Sequence, residues 1–273
     1  MFKFNIGVIP VILIFFILIM LEGCAVKQSM QYGVFLGIDE KDSYKLNDYK
    51  IVVIEPSEFG KKQISKLQKT GKTVYGYLNI GAIEEYRPYY EEFGEITLGI
   101  YDDWQDERWI DASSKEWQKF VVDLLARDYT EKGLDGFFID NTDVYYEFQN
   151  DSIFTGLCRI LEGLKGYEKT VIINGGDSFV LRCMEEGTAL SLFDGINQET
   201  VFTRIDFSNK TYHVQHEEET EYFTDYISRA KEYGLSVFLL EYGADPELTA
   251  KIDNYCNVNG FLWYNASGLE LMK

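Results

Sequence analysis

Eight short apolar runs recur along this chain, and helical periods separate most of them. The runs cover residues 32–38, 51–55, 73–80, 134–140, 170–174, 193–201, 235–242 and 260–265. Each has the length of a strand. Most are continuous instead of alternating, which is how strands covered on both faces read. The clearest helix is "SSKEWQKFVVDLLARDYTEKG", residues 113–133. Ser113 and Glu116 suit a capping box and Gly133 a C-terminal stop. Trp117, Phe120, Val121, Leu124, Leu125 and Tyr129 fall on one face. Asp245-Pro246 opens a second helix striped by Leu248, Ile252, Tyr255 and Cys256. Four further helices are expected at 57–71, 154–164, 177–187 and after Glu217.

Strands alternating with helices eight times predict an α/β fold, a (β/α)8 TIM barrel, as a single domain over residues 32–273. The alternative, an open doubly wound sheet, wants a glycine-rich turn after its first strand. There the chain reads "GIDEKD", with no GxGxxG and no P-loop. At 273 residues and 46% hydrophobic, the chain can bury one large core.

The start of the chain is a separate matter. Lys3, an apolar run from Ile6 to Leu21 and then Leu21-Glu22-Gly23-Cys24 read as a lipoprotein signal, cut before Cys24, with Cys24 lipidated. Residues 1–23 are then signal and 24–31 a short linker. An uncleaved anchor is the other reading. Either reading places the domain outside the cytoplasm, in the cell envelope, held to a bacterial membrane. Cys158, Cys183 and Cys256 lack a CxxC spacing and read as buried thiols, with no zinc site. His213 and His216 read as part of a solvated loop. Neither metal nor cofactor is expected. A formal charge of −19 argues against nucleic acid and suits a cationic or neutral partner. A monomer is expected.

In a barrel of this kind, chemistry sits at the C-terminal ends of the strands. Those ends carry Asp39, Glu55, Asn79, Asp140 with Asp143, Asn174, Gln198 with Glu199, Glu241 with Tyr242, and Trp263, Tyr264 and Asn265. One polar strand end needs no explanation; eight converging ends predict an acidic bowl rimmed by aromatic rings. Glycosidic hydrolysis needs two carboxyl groups across one bond, and rings and amides to hold sugars. Trp104, Tyr86, Tyr145, Tyr242, Trp263 and Tyr264 are candidate stacking platforms. After the third strand, residues 81–112 form a long connection, read as a lid or wall braced by an ion pair of Arg108 and Asp111.

The segments "YGYLNIGAIEEYRPYY", "DDWQDERWIDAS", "GLDGFFIDNTDVY", "VIINGG" and "DGINQET" resemble, in order, the glycoside hydrolase family of endo-α-1,4-polygalactosaminidases and related extracellular polysaccharide hydrolases. The resemblance implies a (β/α)8 fold and cleavage of α-linked galactosamine-containing polysaccharide. It implies Asp140 and Glu199 as the catalytic pair, and analogy with other α-glycosidase barrels makes Asp140 the nucleophile and Glu199 the acid/base; Glu241, at the end of its strand, is the next candidate acid. Substrate-lining residues would be Asp39, Glu55, Asn79, Trp104, Asp143, Tyr145, Asn174, Gln198, Glu241, Tyr242, Trp263 and Tyr264. A cationic amino-sugar polymer would suit the acidic bowl. A sugar-binding lipoprotein without catalysis, or a glycosidase acting on peptidoglycan or a neutral α-glycan, stays open at this point.

Overall fold

The computed structural model describes residues 30–102 and 104–272. The signal segment and Cys24 lie outside the described residues. Eight parallel strands form the barrel: β1 (Met30–Phe35), β2 (Tyr49–Ile54), β3 (Thr73–Asn79), β4 (Gly136–Asp140), β5 (Thr170–Asn174), β6 (Gly195–Glu199), β7 (Ser236–Tyr242) and β8 (Leu262–Ala266). Each falls where an apolar run was expected. The first begins slightly earlier, so Met30 and Gln31 belong to a strand and not to the linker. Each strand pairs with the next in parallel register. β1 and β8 lie side by side without a hydrogen-bonded ladder. Rings of Phe35, Tyr49 and Tyr264 pack at that seam, with Tyr264 5.3 Å from Phe35 and 5.8 Å from Tyr49.

Helices cover the outside of the barrel, and the core fills the layer between. The helix after the long connection begins at Lys115, and Ser114, not Ser113, caps it by accepting from the Trp117 amide. Its middle, Val121–Ala126, is a π-helical turn. The wider turn shifts the phase of the stripe, so Leu124 faces solvent although Trp117, Val121 and Tyr129 are buried. Gly133 ends the helix at φ 93°.

Two excursions rise from the C-terminal rim. The connection after β3 folds into a three-stranded antiparallel sheet of Ala82–Glu84, Trp104–Ile110 and Thr97–Tyr101. Only glycine fits where it leaves the barrel: a Cβ on Gly81 would lie 1.7 Å from the Asn141 carbonyl oxygen. Arg108 braces this sheet through Glu85 rather than Asp111. After β6 comes a hairpin, Thr203–Asp206 with Thr211–Val214. His213, expected in a loop, lies on its second strand.

Candidate active site

Asp140 ends β4 and Glu199 ends β6, and one amide joins them. Nδ2 of Asn174, at the end of β5 between them, donates to Oδ1 of Asp140 and to Oε1 of Glu199, at 2.8 Å each. The two facing oxygens are therefore no further apart than twice that distance. A tyrosine closes each side: Tyr77 donates to Asp140 Oδ2 at 2.8 Å, and Tyr242 to Glu199 Oε2 at 2.7 Å. Burial pushes both phenols well above their ordinary range, so they stay protonated and serve as donors.

The backbone turns sharply just beyond both acids. Asn141 and Thr200 have φ of 64° and 56°. Asparagine tolerates the left-handed region; a β-branched threonine there is a true outlier, held only by surrounding bonds. Leu240 and Gln215 bond the Thr200 backbone, and Glu241 holds the residues that follow it. Its carboxylate accepts from the amides of Phe202 and Thr203 and from the Thr203 hydroxyl. It is fully buried behind the turn that carries Glu199. Strand parity explains this: Leu240 and Tyr242 face the lumen, so Glu241 must face away.

The pocket above the pair encloses about 280 Å³. Six acidic side chains line it, from Glu55, Glu84, Asp106, Glu107, Asp140 and Glu199, and among the described residues no lysine or arginine does. Arg87 lies beside it but is already committed. It is bidentate to both Glu55 and Glu84, at 2.9 to 3.2 Å, and staples the excursion onto the end of β2. Burial works against that guanidinium, yet its two carboxylate partners hold the charge in place. Removing one member of such a buried pair costs about 3–5 kcal/mol. Above the acids, the Trp104 and Phe207 rings meet edge to face with centroids 6.0 Å apart.

Burial raises several of these acids. Glu199 is pushed up to about 7, with the Asp140 charge adding to burial and Tyr242 opposing it. Asp143 and Glu241 also reach about 7, and Glu107 about 8 beside Glu84 and Asp140. Burial likewise raises Asp140, against the bonds from Asn174 and Tyr77. Unfolded carboxyls titrate at about 4. The folded chain therefore holds these protons more tightly than the unfolded one. The stability they contribute is complete below that range and is lost as pH rises through about 7. The melting temperature should fall steadily between pH 5 and pH 8; a rise over that interval would contradict these shifts.

Of the expected site residues, Asp140, Glu199, Glu55, Asn174, Tyr242 and Trp104 line one pocket, and so does Tyr86. Asn79 stands at its wall, donating to Glu107 at 3.4 Å. The others are placed elsewhere. Asp39 caps the 3-10 helix that follows it. Asp143 accepts from the Gly176 amide at 3.1 Å. Tyr145 accepts from Arg182 among the outer helices. Gln198 has the outward parity between Asn197 and Glu199, and its amide donates to the Glu199 carbonyl. Trp263 donates to Asp253 on the helix Pro246–Asn259, and Tyr264 is buried in the seam. Sequence reasoning missed Tyr77, Glu84, Glu107, Asn197 and Phe207. Only Glu107 carried a signal, as an acid between two tryptophans of the long connection.

Residues 22–266 match the model of glycoside-hydrolase family GH114. No curated protein matches the chain in sequence. The glycoside hydrolase domain of PelA from Pseudomonas aeruginosa has a similar structure: TM-score 0.72, 13% identity, 90% of this chain and 96% of that one covered. Aspergillus fumigatus Ega3, solved in complex with galactosamine, gives a TM-score of 0.69 at 17% identity, covering 89% and 93%. An α-galactosidase from Thermus thermophilus gives 0.57 at 12% identity, covering 86% of this chain and 57% of its own. At these identities the three likenesses are of fold.

Proposed function

The chain belongs to glycoside-hydrolase family GH114 and is a glycoside hydrolase; from that premise we propose that it cleaves α-linked galactosamine-containing polysaccharide by double displacement between Asp140 and Glu199. The shared Asn174 amide carries this reading. Retaining enzymes hold their carboxyls about 5–5.5 Å apart and inverting ones about 6.5–9.5 Å. Two oxygens bonded to one nitrogen lie no further apart than twice 2.8 Å, which supports the shorter spacing. An Asp140 oxygen attacks the anomeric carbon as the glycosidic C–O bond breaks, and the Glu199 proton passes to the leaving oxygen. Water then attacks the glycosyl ester, Glu199 takes the water's proton back, and Asp140 leaves as carboxylate. Glu199, held near 7, keeps a share of its proton at neutral pH, while the bonds from Tyr77 and Asn174 favour the ionised form of Asp140 against the burial that raises it. NMR of the first product tests the stereochemistry: an α reducing end is expected, and a β end would exclude the double displacement.

The substrate reading rests on charge. Among the described residues the pocket lining is rich in acids and holds no cation; even with Arg87 offsetting part of the charge of Glu55 and Glu84, and protons held by Glu107 and Glu199, it stays acidic, which favours an ammonium-bearing sugar. Reducing-end release from partly deacetylated polygalactosamine should exceed release from the fully N-acetylated polymer several-fold. Equal rates, or activity confined to peptidoglycan or neutral α-glycans in the same panel, would reject the cationic substrate.

Membrane attachment rests on the residues before Cys24. Lipid on that thiol would tether the hydrolase outside the cytoplasm. Cells fed labelled palmitate should mark the wild-type chain and leave Cys24→Ala unmarked; equal labelling would place the lipid elsewhere.

A further inference from the structure

Asn174 can serve the two acids only in one orientation, and nothing in an amide's shape decides which end faces them. Its NH₂ end donates to both carboxyls. The flipped amide would set a carbonyl oxygen against two carboxyl oxygens. What fixes the choice lies deeper in the lumen. Asn174 and Asn197 are register partners on β5 and β6, and Asn197 Nδ2 donates to Asn174 Oδ1 at 2.6 Å. The Tyr32 hydroxyl on β1 in turn donates to Asn197 Oδ1 at 2.9 Å. Asn197 and Tyr32 are buried, at 0% and 1% exposure, so bulk water cannot replace either partner. The Phe238 ring, 4.9 Å away, holds the Tyr32 ring.

We propose that Tyr32 and Asn197 are positioning residues that set the direction of the Asn174 amide, and through it the protonation of the Asp140–Glu199 pair. The chain of bonds is directional. It starts at a phenol with one hydrogen to give, runs through two amides that each accept at one end and donate at the other, and ends on carboxyl oxygens. Reversing any link reverses those beyond it. Neither Tyr32 nor Asn197 touches substrate; both act through Asn174. The proposal rests on the two-carboxylate reading given above.

The test is the pH profile of kcat/KM, with kcat and KM read separately, on Tyr32→Phe and Asn197→Asp. Tyr32→Phe keeps the ring and its packing but leaves Asn197 Oδ1 without a donor. The kcat should fall roughly tenfold to a hundredfold, the scale of a small misplacement at a reacting centre, with KM little changed. Both limbs of the profile should move to higher pH, because the Asn174 bonds that hold Asp140 and Glu199 down are weakened together. Asn197→Asp still accepts from Tyr32 but, ionised, cannot donate to Asn174, so its loss should be larger with the same shift of limbs. Unchanged limbs in Tyr32→Phe overturn the proposal, whether or not kcat falls. Asn197→Asp risks unfolding, but Tyr32→Phe decides alone. The underlying reading fails separately, if Asp140→Asn stays active.

Discussion

Asp140→Asn is expected to lower turnover by at least about 10⁴-fold while the protein stays folded, the scale of losing a nucleophile. The substitution keeps the shape of the side chain and one acceptor for Tyr77 or Asn174, so the barrel should survive. It removes the oxygen that bonds to the anomeric carbon. It also removes a charge that helps to hold Glu199 high, so Glu199 should titrate lower in the variant. Azide added to Asp140→Gly should restore part of the rate and give a glycosyl azide of inverted configuration, because a small anion enters from the face that Asp140 vacates. Turnover of Asp140→Asn within tenfold of wild type would rule Asp140 out as nucleophile.

Glu199→Gln should cost about 10²–10⁴-fold on a sugar leaving group, the usual worth of general acid–base help. Its signature is the dependence on the leaving group. An aryl glycoside whose phenol departs without a proton should form the covalent intermediate almost as fast as in wild type. The sign of the pH effect follows from the role. Glu199 must carry its proton to act, so kcat/KM of the wild type falls as pH rises through about 7. That limb should be missing in Glu199→Gln. If it persists, or lies nearer 8, the acid is another group, and Glu107 is the one whose carboxyl is held there.

The barrel was legible because its strands are buried on both faces and so read as unbroken apolar runs. Asp140, Asn174, Glu199 and Tyr242 were legible because chemistry collects where such strands end. Parity was not legible. In "NQE" and "LEY" adjacent residues point to opposite faces, and a continuous apolar run does not say which. Gln198 and Glu241 were therefore read into a bowl that they do not face. Tyr32 and Tyr77 were hidden for the same reason: within a strand a lumen-facing tyrosine looks like any core ring. Glu107 was hidden differently. Its place depends on an antiparallel sheet formed by residues far from the pair, and no local pattern fixes where that sheet docks. The π turn at Val121–Ala126 defeated a helical stripe that a regular helix would have kept.

The contact of Trp104 with Phe207 bears on how a polymer reaches the acids. The two rings stand on excursions that follow β3 and β6, almost opposite on a ring of eight, and they touch across the mouth of the pocket. A long chain cannot be laid sideways beneath an arch. It is threaded from a free end, or the arch opens each time a chain is seated. The first route releases short pieces one after another from the same strand; the second cuts at random and drops viscosity early. If the contact persists with a chain bound, one pair of rings remote from the bond being cut sets the processivity.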